Sequence, residues 1–167
     1  SGHDSDRARA CDHGTVRRAA PLVLALLLAA CGSDALSSGD DQVPLRVVTA
    51  EGEVTLRVEI ADTSEERAAG LSGRASVPAD AGMAFLWDEP VEAEFWMKDT
   101  LIPLQIAFWD EGGRIVGLIE MEPCKTDTCP RYRPEKPIVG AVEANAGWFT
   151  AHGVAVGDTV ELDAGDA

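Results

Sequence analysis

The strongest constraint on the fold is a succession of short apolar runs, rich in Val, Ile and Phe, that extends from Leu45 to Leu162. Short runs of this composition between Gly, Asp and Glu turn residues are typical of β-strands, and Asp110–Gly113 suits a hairpin turn. We predict strands in LRVVTAE, VTLRVEIA, GMAFLW, EAEFWM, LQIAFWD, RIVGLIEM, IVGAVEA and DTVEL. The pattern predicts a mainly β domain, as a small β-sandwich or a barrel.

Two short helices are expected between these strands. The first has its N-cap at Thr63 or Ser64, because two glutamates follow in what would be its first turn, and it ends at Gly70 or Gly73. The second lies in ANAGWFTAHG, near the last strand.

The amino-terminal part has the pattern of an export signal. Arg17 and Arg18 precede an uncharged apolar run over residues 19–30 that ends at Cys31. This run is shorter than the roughly 20 residues that a membrane-spanning helix needs, and it suits the apolar region of a signal peptide. Leu28–Cys31 resembles the lipobox of bacterial lipoproteins, which predicts lipidation of Cys31; the alternatives are an ordinary secretory signal or a buried apolar helix.

These features divide the chain into five segments. We expect an upstream extension, not native or disordered, over 1–15, a lipoprotein signal peptide over 16–30, a flexible acidic tether over 31–44, a single mainly β domain over 45–163, and a disordered tail over 164–167. The tether is long enough to hold the domain just off a membrane surface. The predicted location is the cell envelope, outside the cytoplasm.

The charge balance excludes one class of partner. Lys and Arg number 14 against 29 Asp and Glu, so the formal net charge is -15. That sign is wrong for binding a phosphate backbone, and we expect no nucleic-acid partner. The membrane contact is therefore expected through a lipid on Cys31 and not through basic residues.

Five motifs occur together in the predicted domain: GLSGR, GMAF, FWMKDT, IPLQIAF and VEANAG. In this order and spacing they resemble the domain-of-unknown-function 192 family of bacteria and archaea, over roughly Leu45 to Leu162. The resemblance implies a jelly-roll-like β domain with short helices, often exported, and it implies no activity.

Two positions depart reciprocally from the family pattern. The family has Met-Lys-Asn-Thr where this chain has Asp99 in third place, and Pro-Leu-Asp where this chain has Gln105. The exchange keeps one amide and one carboxylate, which favours a hydrogen-bonded pair with a structural or ligand-holding role over a catalytic acid. At Ser72 the family often has Met.

Candidates for a polar cleft come from these motifs and from the carboxylates and cations near them. They are Arg74, Trp96, Lys98, Asp99, Gln105 and Glu143. Two carboxylates in one cleft would suit glycoside hydrolysis, while carboxylates that only anchor loops would not, so no residue is assigned a catalytic role.

Histidine and cysteine usage limits the other chemistries. His152 is the only His after Cys31, and we expect it beside the carbonyls that end a helix. No metal site or cofactor is predicted. For an exported protein, Cys124 and Cys129 suit a structural disulfide, with free thiols or metal and redox chemistry as alternatives.

The stretch EFWMKD predicts a strand with two different faces. We expect Phe95 and Met97 to pack in the core, and Trp96 and Lys98 to line a groove or to form a plain outer face. The four tryptophans are either core residues or a sugar-binding surface.

Together these patterns favour a lipid-anchored, extracytoplasmic binding or accessory module with a small polar or glycan ligand. The alternatives are a carboxylate-dependent hydrolase of envelope glycans and a structural interaction protein without a ligand pocket.

Overall fold

Nine strands and two short helices follow one another along residues 42–162, the part of the chain that the computed structural model describes. In chain order they are β1 (Val43–Thr49), β2 (Gly52–Ala61), α1 (Ser64–Ala69), β3 (Ala81–Val91), β4 (Phe95–Trp96), β5 (Leu104–Trp109), β6 (Ile115–Met121), β7 (Arg131–Tyr132), β8 (Ile138–Asn145), α2 (Trp148–Ala151) and β9 (Thr159–Leu162). The predicted signal peptide, Cys31, most of the tether and the tail lie outside the described residues. Within 42–162, no helix combines the length and the apolar character that crossing a bilayer requires.

Seven strands form one sheet in the order β6-β5-β8-β3-β2-β1-β9, and β4 pairs with β7 separately. All the neighbouring strands are antiparallel except β2 and β3, which are parallel because α1 and its following loop connect them. The sheet curls, since Val160 N donates to Gly113 O at 2.7 Å and Ile115 N donates to Asp158 O at 2.8 Å, so β9 meets the β5–β6 turn. The predicted mainly β, barrel-like fold is confirmed.

The concave face of the sheet holds the first hydrophobic core. Alternate residues of nearly every strand point into it, as strand geometry dictates, and Trp148 and Phe149 of α2 add their rings. The strand residues include Leu45, Val47, Leu56, Val58, Ala84, Ala107, Val142 and Ala144. The curl therefore closes around a packed interior.

The opposite, outer face of the central strands holds a second core. Met83, Phe85, Ile106 and Phe108 lie there, and they are covered by Leu71, Phe95 and Met97 from the segments outside the main sheet. Strands β3, β8 and β5 are consequently buried on both faces. Side chains in the middle of β8 are therefore buried on whichever face of the sheet they lie.

The local signals at helix α1 have the predicted effect. Thr63 is the N-cap: its hydroxyl accepts from Glu66 N, while the Glu66 carboxylate accepts from Thr63 N. This reciprocal capping box satisfies two amides that the first helical turn leaves unpaired. Gly70, with φ at 50°, ends the helix.

The predicted strand EAEFWM is shorter than expected, and its partner was not expected at all. Only Phe95 and Trp96 pair, with Tyr132 and Arg131 of β7. The segment around β7 is rich in proline and in charged residues, which are uncommon within strands. A strand of two residues is also too short to show an alternating pattern in the sequence. Trp96, expected as a core residue between sheets or as a groove residue, is 44% exposed, whereas Trp109 and Trp148 are buried.

Candidate functional site

A cavity of about 640 Å³ lies over the outer face of the sheet. Its walls come from α1 and the following loop, from the carboxyl end of β3, from β4 with the segment after it, and from Arg131 of β7. The side chain that lies on strand β8 beneath these walls is Glu143. We call this space the outer cavity.

Strand register explains why Glu143 faces the outer cavity. Within β8, Val142 and Ala144 belong to the concave core and Ala141 to the outer one, so alternation places Glu143 on the outer face. Its direct neighbours across the ladder are Met83 of β3 and Ile106 of β5. A carboxyl group thus stands in the middle of the sheet between two apolar side chains.

Burial changes the protonation of Glu143. The residue is 5% exposed, and desolvation raises the pKa of its carboxyl from 4.5 to about 8. At neutral pH the group is therefore mainly a neutral acid, which can both donate and accept a hydrogen bond. Among residues 42–162, no group hydrogen-bonds this carboxyl, and its oxygens reach the outer cavity, since they are not among the fully enclosed unpaired atoms of these residues. The carboxyl is therefore available to hydrogen-bond a molecule that enters the outer cavity.

The predicted alternation from Phe95 to Lys98 is confirmed. Phe95 and Met97 are buried in the outer core, and Trp96 and Lys98 line the outer cavity. Phe95 meets Phe85 edge to face, with ring centroids 5.4 Å apart. The guanidinium of Arg131 lies 3.8 Å from the centroid of the Trp96 ring, so a cation covers that indole face.

Asp99 also lines the outer cavity, at a turn held from both sides. Its backbone N donates to Cys124 O at 2.9 Å, and its O accepts from Gly73 N at 2.9 Å. Its φ is 57°, in the left-handed region where Asn and Asp are the commonest residues other than Gly. An amide or a short carboxylate at this position therefore suits the backbone.

The predicted Asp99–Gln105 hydrogen bond is wrong. Gln105 shares the concave face with Ala107, on the opposite side of the sheet from the outer cavity. Its Oε1 accepts from Phe149 N at 2.9 Å, and its Nε2 donates to Thr150 Oγ1 at 3.0 Å. Gln105 thus anchors the start of α2. The alternation of apolar residues in LQIAFW was the signal that could have shown this.

Arg74 does not line the outer cavity. Its guanidinium binds Glu59 of β2 through two hydrogen bonds of 2.6 Å, one to each carboxylate oxygen. This contact lowers the pKa of Glu59 and raises the pKa of Arg74, because each charge is stabilised by the other. Four of the six predicted cleft residues, Trp96, Lys98, Asp99 and Glu143, therefore meet in one cavity.

A disulfide joins Cys124 and Cys129, as predicted. Its loop supports the cavity wall, since Cys124 N donates to Met97 O at 3.2 Å and Lys98 Nζ lies 3.0 Å from Asp127 Oδ1. His152 lies at the end of α2, where its Nδ1 is 2.7 Å from Trp148 O, as expected for a residue beside the last carbonyls. Within 42–162, no group of three or more His, Cys, Asp or Glu side chains is arranged to hold a metal ion.

Several cavity residues were missed by the sequence analysis. The charged ones are Arg67, Glu92, Glu94 and Arg131. Arg67 belongs to a helix with ordinary surface composition, and Arg131 comes from a strand of two residues. No pattern of spacing connects them to Glu143, because the chain brings them together only through the packing of β4 and β7 over the sheet.

Comparison with known proteins gives a family but no activity. Residues 46–162 match the family model DUF192, described as "Uncharacterized ACR". No curated protein sequence matches the chain. A protein of unknown function from Novosphingobium aromaticivorans is similar in structure at 33% identity and a TM-score of 0.68, over 72% of this chain and 84% of that one.

A second solved structure is similar to nearly the same extent. It is a protein of Sinorhizobium meliloti that carries the provisional label of a transcription regulator, at 30% identity and a TM-score of 0.66, over 72% of this chain and 93% of that one. The family match covers nearly all of the described residues, and the chain belongs to the DUF192 family.

Proposed function

We propose that this protein is an exported, lipid-anchored binding module that holds a small polar ligand in the outer cavity. The observation that carries the proposal is the Glu143 carboxyl, which reaches the outer cavity from a largely buried residue of β8 and has no hydrogen-bond partner among the described residues. Hydrogen bonds are electrostatically stronger in such a desolvated place than in water. A polar ligand that enters the cavity would gain such a bond to Glu143.

The dimensions and the walls of the outer cavity support a small ligand. Its volume of about 640 Å³ is within the range of roughly 300–1,000 Å³ that is usual for small-molecule sites. Aromatic rings and a few charged groups line it, which is the mixture that fixes the orientation of a ligand of this size. A sugar or an amino compound of the envelope has suitable dimensions.

A hydrolase of envelope glycans is a second candidate, and one observation favours it. Asp99 lines the same cavity as Glu143, so an exposed carboxylate and a buried neutral acid share one space. Glycosidases use two carboxyl groups of this kind, with burial keeping the general acid protonated.

The cavity is tested with a variant that fills it. Ser72 is exposed and lines the outer cavity, whereas Ser76 is exposed and lies outside it. We expect Ser72→Trp to abolish the thermal stabilisation that a library of sugars, amino acids and amines gives the wild type, and Ser76→Trp to retain it. Each ligand at 100 times its Kd should add about 3 kcal/mol of stability.

This screen, together with an assay for reducing ends released from envelope glycans, separates the three candidate functions. Binding without turnover supports the binding module. Release of reducing ends from an envelope glycan, lost in Glu143→Gln, would replace it by the hydrolase. No stabilisation by any compound, in either the wild type or the variants, would leave only a structural interaction protein.

The location is proposed on the residues before the domain. Arg17, Arg18 and the apolar run to Cys31 have the order of a lipoprotein signal, and a disulfide between Cys124 and Cys129 suits an oxidising compartment. Expressed in a bacterium with residues 16–30 in place, the wild type should incorporate radioactive palmitate and Cys31→Ala should not. Equal labelling of the two would exclude the lipid anchor on Cys31.

A further inference from the structure

We propose that the outer cavity binds a small organic compound with a primary ammonium group, and that Glu143 is the carboxyl that pairs with its nitrogen. This inference rests on the proposed binding function and names the chemical class of the ligand. It follows from the position of Glu143, from the charges around the cavity and from the aromatic walls.

Six charged side chains line the outer cavity besides Glu143: the cations Arg67, Lys98 and Arg131, and the anions Glu92, Glu94 and Asp99. Lys98 and Arg131 already have acidic partners, since Lys98 Nζ lies 3.0 Å from Asp127 Oδ1 and Arg131 Nε lies 3.4 Å from Glu94 Oε1.

The remaining charges favour a cation. Arg67 donates to backbone carbonyls, including Leu86 O at 2.8 Å, while Glu92 and Asp99 have no ion-pair partner within 42–162. Of the six charged side chains besides Glu143, one cation, Arg67, and two anions, Glu92 and Asp99, therefore have no ion-pair partner within 42–162. The whole chain also carries a formal charge of -15. An anionic ligand would meet repulsion on entry, and a cation would meet attraction.

The aromatic walls suit the same ligand. The guanidinium of Arg67 lies 5.2 Å from the centroid of the Trp87 ring, and that of Arg131 lies 3.8 Å from the Trp96 ring. Guanidiniums of the protein itself thus cover both indole rings, which leaves Glu143 as the partner for the nitrogen of the ligand. Phe85 and Phe95 also line the cavity and offer apolar contact to its carbon atoms.

A primary ammonium group matches Glu143 better than a quaternary one. It carries three N–H donors, and a carboxylate in an apolar setting accepts them as charge-assisted hydrogen bonds. Without ligand the Glu143 carboxyl is protonated at neutral pH, because burial raises its pKa to about 8. Binding of the ammonium ion transfers the Glu143 proton to solvent and leaves an ion pair on the cavity floor.

Because binding releases a proton, the affinity for the ammonium ion should rise with pH. Only the ionised fraction of Glu143 pairs with the ammonium ion, and that fraction grows about tenfold per pH unit below the pKa. Affinity for a primary amine should therefore rise about tenfold per unit from pH 6 towards pH 8, and level off above it. It falls again only where the amine itself loses its proton.

The test uses n-butylammonium, with 1-butanol and butanoate as its neutral and anionic analogues. Dissociation constants come from the concentration dependence of thermal stabilisation at pH 6, 7 and 8.5, at ionic strength matched with NaCl. The proteins are the wild type, Glu143→Gln, the cavity-filling Ser72→Trp and, as a matched control, Glu111→Gln in the exposed β5–β6 turn.

We expect the wild type and Glu111→Gln to bind n-butylammonium with the rise in affinity described above. Glu143→Gln should bind it at least about tenfold more weakly at pH 8.5, without that rise. The inference is overturned if 1-butanol or butanoate binds as tightly as the amine, or if Glu143→Gln keeps the pH dependence.

The failure of this inference differs from the failure of the proposed function. If n-butylammonium does not bind, but a library compound without an amine does and Ser72→Trp blocks it, the ammonium assignment is wrong and the binding function stands. If neither the amine nor any library compound binds, both are wrong.

Discussion

Glu143→Gln should make the protein more stable at neutral pH, by about 3 kcal/mol at pH 7. The substitution replaces a buried carboxyl in the middle of the domain by an amide. The amide has nearly the shape of the protonated acid and does not ionise. In the wild type, unfolding exposes Glu143 to water, where its carboxyl ionises with an ordinary pKa near 4.5, while burial holds the folded value at about 8. Each pH unit between the two values lowers the stability by about 1.4 kcal/mol.

The difference between the folded and unfolded pKa values of Glu143 determines the pH range in which stability changes. Below pH 4.5 the group is protonated in both states, and it contributes nothing to the dependence of stability on pH. Between 4.5 and about 8 only the unfolded state loses the proton, so the stability falls as pH rises. Above about 8 both states are ionised and the loss is complete.

Chemical denaturation of the wild type and Glu143→Gln from pH 4 to pH 9 measures the difference. The two curves should coincide at the acid end and separate steadily up to pH 8. Glu111→Gln, an exposed turn substitution, should follow the wild type throughout. A Glu143→Gln variant that is equally stable or less stable at pH 7 would contradict a neutral, unpartnered Glu143.

Gly82→Ala should destabilise the domain by about 3 kcal/mol or more, the second large effect that we expect. Gly82 of β3 lies against β8, and an added Cβ would stand 2.2 Å from the backbone O of Glu143 and 3.1 Å from Leu56 Cδ2. Both strands are buried on their two faces, so neither can move away without disturbing a core. Overpacking of this kind costs about 1–3 kcal/mol where side chains can adjust, and here the obstacle is backbone.

Gly112→Ala is the matched control for that substitution. Gly112 lies in the exposed β5–β6 turn, where an added Cβ would be 3.3 Å from Asp110 Oδ1, a side-chain atom that has to give by only a few tenths of an ångström while it keeps its hydrogen bonds from Gly112 N and Arg114 N. Its cost should stay below about 1 kcal/mol. Thermal or chemical unfolding compares the two variants, and equal stabilities would mean that β3 and β8 are not packed as closely as described.

Much of the fold follows from local patterns in the sequence, and the site follows only in part. The capping box at Thr63, the alternation from Phe95 to Lys98 and the disulfide of Cys124 are local, and each was predictable. The exchange of a carboxylate and an amide between Asp99 and Gln105 suggested a contact that does not exist, because alternation within β5 turns Gln105 to the concave face.

The state of Glu143 depends on facts that are not local. A Glu in an apolar strand such as IVGAVEA is exposed if its face of the sheet is open to solvent, and it is buried if other segments cover that face. The strand order, with β8 between β5 and β3, places Glu143 in the middle of the sheet. The cover formed by β4 and β7 then decides that the carboxyl faces a cavity and not solvent. Neither the order nor the cover has a signature in the residues around Glu143.

A carbon-13 NMR titration of the glutamate side-chain carboxyls measures whether Glu143 is a neutral, buried acid open to a ligand in the outer cavity. Its signal is identified by its loss in Glu143→Gln. We expect a midpoint at about pH 8 in the ligand-free protein, and a lower midpoint when n-butylammonium is bound. A midpoint near the ordinary 4.5, unchanged by the amine, would contradict it.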